Sequence, residues 1–141
     1  APNGPVDTRQ HRLVGAPAPG DSTPQHPLSD APGLHLWGSQ AHRVRALPGA
    51  DHALGLGLTE AMVRYAARHE WAFTVEDMLA RRWRALFLDA RQAASMAPQV
   101  AALLQEETGL DPRLGEFLAL CQRYTVGDGY IAQCSESASG R

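Results

Sequence analysis

Residues 58–91 read LTEAMVRYAARHEWAFTVEDMLARRWRALFLDAR, and this stretch decides the fold. Thr59 is a good N-cap, and Glu60 just after it suits the positive end of a helix dipole. Met62, Tyr65, Ala66 and His69 then fall on one helical face. A second start follows at Thr74, where Asp77 three residues on makes a variant of the capping box. Val75, Met78, Leu79, Leu86 and Phe87 give that second helix a broad apolar stripe. Trp71 and Phe73 occupy the short turn between the two, placed to staple them through a contact from Phe73 to Met78 or nearby.

Towards the C-terminus, Asp89 with Gln92 repeats the cap pattern. Pro98 suits the first turn of a fresh helix better than the middle of an old one. Val100, Leu103 and Leu104 mark the buried side of that helix, and Gly109 is a natural stop. Asp111-Pro112 reads as N-cap and first residue of a last helix, whose stripe is Leu114, Phe117, Leu118 and Cys121. The end, SESASGR, should fray.

Towards the N-terminus the composition changes. Of the ten prolines, eight lie at or before Pro48. Proline fixes φ and removes a donor, so APAPGDSTPQHPLSDAPG (16–33) cannot hold a long helix or a central strand. One short helix interrupts this region at 39–47, with Ser39 as N-cap, Ala41, Val44 and Leu47 as its apolar side and Pro48-Gly49 as its stop. The expected architecture is therefore all-α: a small bundle of about four to five short helices over 59–124, preceded by a long Pro/Gly-rich strap over 1–58 and followed by a frayed tail over 125–141. No strand pattern of useful length is visible. So small a core is marginal alone, which predicts that the module leans on a partner.

Thirteen basic and fifteen acidic side chains nearly balance, which argues against nucleic acid as a partner. No apolar run approaches the ~18 residues that span a bilayer, and no export signal is visible. Two cysteines, Cys121 and Cys134, fit a reducing compartment, hence a cytoplasmic location. Cys121 falls on an apolar face and reads as a buried thiol.

Candidate chemistry is sparse. GLGLTE (55–60) holds half of a dinucleotide fingerprint, but without the third glycine or a preceding strand it reads as a loop. The six histidines, His35 and His42 included, do not converge as zinc ligands must. The strongest cluster is Arg81, Arg82, Arg84 and Arg91. Guanidinium groups suit phosphate and carboxylate, although Asp77 and Arg81 also make an ordinary i,i+4 pair. Trp83 sits among these arginines, and Trp with Arg is a typical interface pairing. Arg81, Arg82, Trp83, Arg84 and Arg91 are therefore the candidate interaction face. No catalytic, cofactor-binding or metal-binding residue is assigned.

The same residues resemble the C-terminal helical domain of FAD-dependent (aerobic, respiratory) glycerol-3-phosphate dehydrogenases. The resemblance is carried by Tyr65, His69-Glu70-Trp71, Thr74-Val75-Glu76-Asp77, Leu79, Arg81-Arg82 and Phe87-Leu88-Asp89-Ala90. It extends upstream through LHLWGSQAHRVRALPG (34–49) and downstream through PQVAALLQEETGLDP (98–112). Trp83 stands where that family usually has a smaller residue. The resemblance implies a parent enzyme that oxidises sn-glycerol 3-phosphate to dihydroxyacetone phosphate and passes electrons through FAD to a quinone. It implies that this chain is a fragment, inactive alone and without FAD of its own. The implied partners are its own N-terminal flavin domain, a second copy of the protein and a peripheral contact with the inner face of the cytoplasmic membrane. A reading of another class is a free-standing helical module that binds a protein or an anionic membrane through the arginine face.

Overall fold

The computed structural model describes residues 11–22, 26–27 and 30–125; the expected tail from 126 on, with Cys134, lies outside them. A 3-10 segment, Leu34–Gln40, runs into helix α1 (Ala41–Arg45). A hairpin of β1 (Ala53–Gly55) and β2 (Leu58–Thr59) leads into α2 (Glu60–His69). A π-helical segment, Asp77–Arg82, precedes α3 (Ala85–Leu88), α4 (Ala90–Thr108) and α5 (Leu114–Tyr124). The class is all-α, as the periodicity predicts, with one small hairpin as the exception.

Helix α4 is the centre, packed by α2, α3 and α5 and touched by β1. It starts where the sequence says: the Asp89 Oδ1 accepts from the Gln92 N–H at 2.9 Å. Pro98 does not begin a new helix but lies inside this one. The reason is burial. Met96, Val100, Leu103 and Leu104 continue a single buried face across it, and each is worth about 1.5–3 kcal/mol. That outweighs the ~3 kcal/mol a proline costs in a helix interior. Pro98 itself faces outward, and Gly109 closes the helix at φ 70°.

The last helix begins later than Asp111-Pro112 predicts. The Asp111 Oδ1 accepts from the Arg113 N–H at 2.9 Å, an Asx-type turn, and the Pro112 carbonyl accepts from the Val75 N–H at 2.9 Å. With that carbonyl committed elsewhere, helical bonding starts at Arg113, whose carbonyl accepts from Phe117. Phe117 and Cys121 are buried, and Leu114 and Leu118 partly so.

On α2, Met62, Tyr65 and Ala66 are buried as expected, together with Ala61, Val63 and Ala67. His69 is not: it lies exposed in the last turn, its ring 4.6 Å from that of Tyr65. Thr59 is the N-cap by position, but its side chain makes no capping bond.

The GLGL loop is a tight hairpin. Leu56 and Gly57 both take positive φ, 48° and 77°, which a two-residue turn between twisted strands requires. A side chain at Gly57 would put its Cβ 2.2 Å from the Pro32 carbonyl oxygen, so the connector runs directly over this turn. Gly38 meets Gly15 in the same way, and the Ser39 N–H donates to the Gly15 carbonyl at 3.0 Å. Ser39 is thus not a helix N-cap; its hydroxyl faces the Ala16 carbonyl and Gln40 takes the cap position.

Candidate functional site

The second predicted helix starts as written. Thr74 and Asp77 form a reciprocal box: the Asp77 Oδ2 accepts from the Thr74 N–H (3.0 Å) and hydroxyl (2.8 Å), and the Thr74 Oγ1 accepts from the Asp77 N–H (3.1 Å). Burial pushes the Asp77 carboxyl up. The bonds from Thr74 and Phe73 and the charge of Arg81 outweigh it and hold the group below its ordinary value. Arg81 binds Asp77 and Glu76, each at 2.9 Å.

The helix then departs from the expectation. The Trp83 N–H donates to the Met78 carbonyl, five residues back, which is a π-type turn. Arg84 turns into the left-handed region at φ 58°, and a separate short helix follows. This break rotates the apolar stripe. Leu86 is buried, while Phe87 is exposed and meets Tyr124 edge to face at 5.6 Å.

The rotation also explains Trp83. It is no part of the exposed arginine face: only 3% of it is accessible. Its Nε1–H donates to the Leu56 carbonyl at 2.9 Å and its ring stacks on Trp37 at 5.9 Å. The Trp83 side chain thus lies between the hairpin turn and the 3-10 segment. Of the other four residues, Arg81 is held by Glu76 and Asp77. Arg82 approaches Glu70 at 3.5 Å. Arg91 is also engaged in an interaction. The Arg84 guanidinium alone of the four has no hydrogen bond or ion pair among the described residues.

Two polar centres escaped the sequence reading. In the first, Glu70 accepts from the Trp37 Nε1–H at 2.8 Å and faces Arg82, joining the 3-10 segment, the end of α2 and the π segment. In the second, Glu107 on α4 binds Arg64 at 2.6 Å and Arg68 at 2.5 Å, both from α2, and Glu106 binds Arg64 at 3.0 Å. Hydrogen bonds from Arg68, and then from Arg64, hold the Glu107 carboxyl below its ordinary value against its burial. Hydrogen bonds from Glu106 and Glu107 raise the Arg64 pKa. An i,i+4 pattern on α2 (Arg64, Arg68) and an adjacent acidic pair on α4 were visible, but nothing in the sequence pairs the two helices.

The remaining candidates read simply. Trp71 is 77% exposed at φ 60° and meets Phe73 edge to face at 5.7 Å. His35 stacks on His26 at 4.5 Å, and the His42 ring bonds the Ser39 carbonyl at 2.8 Å. Cys121 is buried, and desolvation pushes its thiol up. Among the described residues no cluster of His, Cys, Asp and Glu is arranged to hold a metal ion, and no helix is long and apolar enough to cross a membrane.

These features define a small helical domain whose strongest charged groups bind one another. A family model described as the C-terminal domain of alpha-glycerophosphate oxidase matches residues 6–113, and the chain belongs to that family. The match includes most of the proline-rich connector and the helices through α4, and stops just before α5. Among curated relatives, a mitochondrial glycerol-3-phosphate dehydrogenase of Arabidopsis thaliana is 38% identical over 78 residues, 52% of this chain and 12% of that protein. One of Schizosaccharomyces pombe is 39% identical over 69 residues, 49% of this chain and 11% of that protein. The chain thus matches about an eighth of the length of these relatives. No solved structure matches it. The resemblance carried by the His-Glu-Trp and Val-Glu-Asp motifs is borne out at the level of the family.

Proposed function

We propose that this chain serves as the C-terminal accessory domain of an FAD-dependent enzyme that oxidises sn-glycerol 3-phosphate to dihydroxyacetone phosphate and delivers the electrons to a quinone. The observation that carries the reading is the family match over 6–113, supported by the two dehydrogenase relatives. The flavin and the reacting groups belong to another part of that enzyme; this domain contributes a rigid docking body and is inactive alone. Its internal polar network supports that role, because Glu70 and Glu107 bind partners within the domain. The natural partner on this reading is the enzyme's own flavin domain. The enzyme would work at the cytoplasmic face of a membrane, where the quinone is within reach.

A domain exchange tests the proposal. The matching segment of the Schizosaccharomyces pombe dehydrogenase is replaced by this chain, and glycerol 3-phosphate-dependent reduction of a soluble quinone analogue is measured. Retained turnover is expected. A chimera that folds and holds flavin but has lost turnover would contradict the assignment.

A further inference from the structure

Two unfavourable features meet at Trp71. The Glu70 and Ala72 N–H groups both donate to the Ala66 carbonyl, at 2.9 and 3.2 Å, and the chain reverses between them. Trp71 makes that reversal at φ 60°, a left-handed conformation that suits glycine and is uncommon for a bulky side chain. The indole is nonetheless exposed, with the edge of Phe73 as its ring contact among the described residues. Neither capping nor burial accounts for a tryptophan here. A strained backbone that presents a large aromatic to solvent marks a contact made outside the domain.

The surroundings of Trp71 are apolar. Glu70, next to it in sequence, lines a depression of about 240 Å³ with Val14, Leu36, Trp37 and Tyr65. Val14 is 91% exposed and Leu13 78%; with Trp71 they are the most exposed large apolar side chains among the described residues. Leu36 is exposed as well. The charges are already engaged: Glu70 accepts from Trp37 and faces Arg82, and Arg12 donates to the Ala16 carbonyl at 2.6 Å. An anionic lipid surface is drawn by unpaired Lys and Arg, so this face favours a protein held by apolar burial.

The connector indicates which protein. The Ser39 N–H donates to the Gly15 carbonyl, and a Cβ on Gly38 would lie 2.2 Å from the same oxygen. Gly15 is thus laid against the 3-10 segment, with Val14 beside Leu36 and Glu70. The family match is to a C-terminal domain and begins at residue 6, and the chain from there to Val14 can span at most about 30 Å. Whatever precedes the matched domain in the enzyme is therefore tethered at this face, at an effective concentration of roughly millimolar order.

We infer that Trp71, Leu36 and Val14 form the seat of the flavin domain of the same enzyme, with Trp71 as the anchoring side chain. The seat presupposes the accessory-domain reading above, and its test is read separately from turnover.

The first readout is thermal unfolding of the purified chain. Trp71→Gly suits the left-handed backbone, so the midpoint should stay or rise by a few degrees. A clear fall would show that Trp71 holds its own domain together, and would overturn the inference. The second readout uses the Schizosaccharomyces pombe chimera with the photo-crosslinker p-benzoylphenylalanine placed at Trp71 or, as a control on α3, at Leu88. Irradiation should link position 71 to the flavin domain of the same molecule, with few such links from position 88. Links from position 71 confined to a second copy, or to lipid in a vesicle-bound sample, would overturn the inference and name the other occupant. Expected links without turnover would sink the enzyme assignment and leave the seat standing. Turnover without links from position 71 would do the reverse.

Discussion

The Trp37 indole N–H donates to the Glu70 carboxylate at 2.8 Å across 33 residues of sequence. That bond, with the stack of Trp37 on Trp83, fastens the 3-10 segment to the helical core. A part-buried hydrogen bond to a charged acceptor is worth about 1.5–3 kcal/mol. Trp37→Phe keeps an aromatic ring but removes the donor, so it should destabilise the chain by about 1–3 kcal/mol in urea unfolding. An unchanged midpoint would show that the segment is not held this way.

Trp83 extends the same anchorage to the hairpin turn. Trp83→Phe removes the donor to the Leu56 carbonyl and leaves a gap in a fully packed position. A loss of about 1–3 kcal/mol is expected. Trp83→Ala should cost about 3–5 kcal/mol, a large fraction of the total stability of a small domain. Calorimetric melting of the two variants checks the order. If Trp83→Ala melted with the unmodified chain, the core position of Trp83 would be wrong.

The Arg64, Arg68 and Glu107 cluster predicts a pH dependence. The Glu107 and Asp77 carboxyls are both held below their ordinary values in the fold. A depressed folded pKa means that the unfolded chain binds protons first as pH falls. The stabilisation is therefore complete above the ordinary carboxylate range, roughly pH 4–4.5. It is lost as pH drops through the lowered folded values. Glu107→Gln should flatten this acid limb and lower stability at neutral pH, read from unfolding curves across a pH series. An unaltered acid limb in that variant would assign the effect elsewhere.

Pro98 gives a prediction of opposite sign. It lies on the outer side of α4 and removes one hydrogen-bond donor from the helix interior. Pro98→Ala should stabilise the chain by up to about 3 kcal/mol, measured as a rise in the thermal midpoint. A fall would mean that the proline is needed to seat α4 against its neighbours.

The sequence made the α2 face, the Thr74–Asp77 box, the Asp89 cap, the Gly109 stop and the burial of Cys121 legible, because each is local and uses caps or a 3.6-residue period. What it hid was non-local or broke the period. The π turn at 77–82 shifts register by one residue, which moves Phe87 out and Trp83 in. Pro98 looked like a start because the proline rule ignores the burial on either side of it. The hairpin strands, Ala53–Gly55 and Leu58–Thr59, are too short to show alternation. The arginine cluster was visible as charge and the Asp77–Arg81 pair as i,i+4 spacing, but only the fold shows that Arg81 also binds Glu76 and that Arg82 faces Glu70. The Glu70 and Glu107 centres join segments more than thirty residues apart, and no pattern in a single sequence announces such pairings.

The central claim, that this is an accessory domain and the redox chemistry belongs to another part of the enzyme, is tested most directly by the visible absorbance spectrum of the purified chain incubated with FAD and desalted. The account predicts a colourless protein that shows no bleaching on addition of glycerol 3-phosphate. A stoichiometric flavin spectrum that bleaches with glycerol 3-phosphate would contradict it.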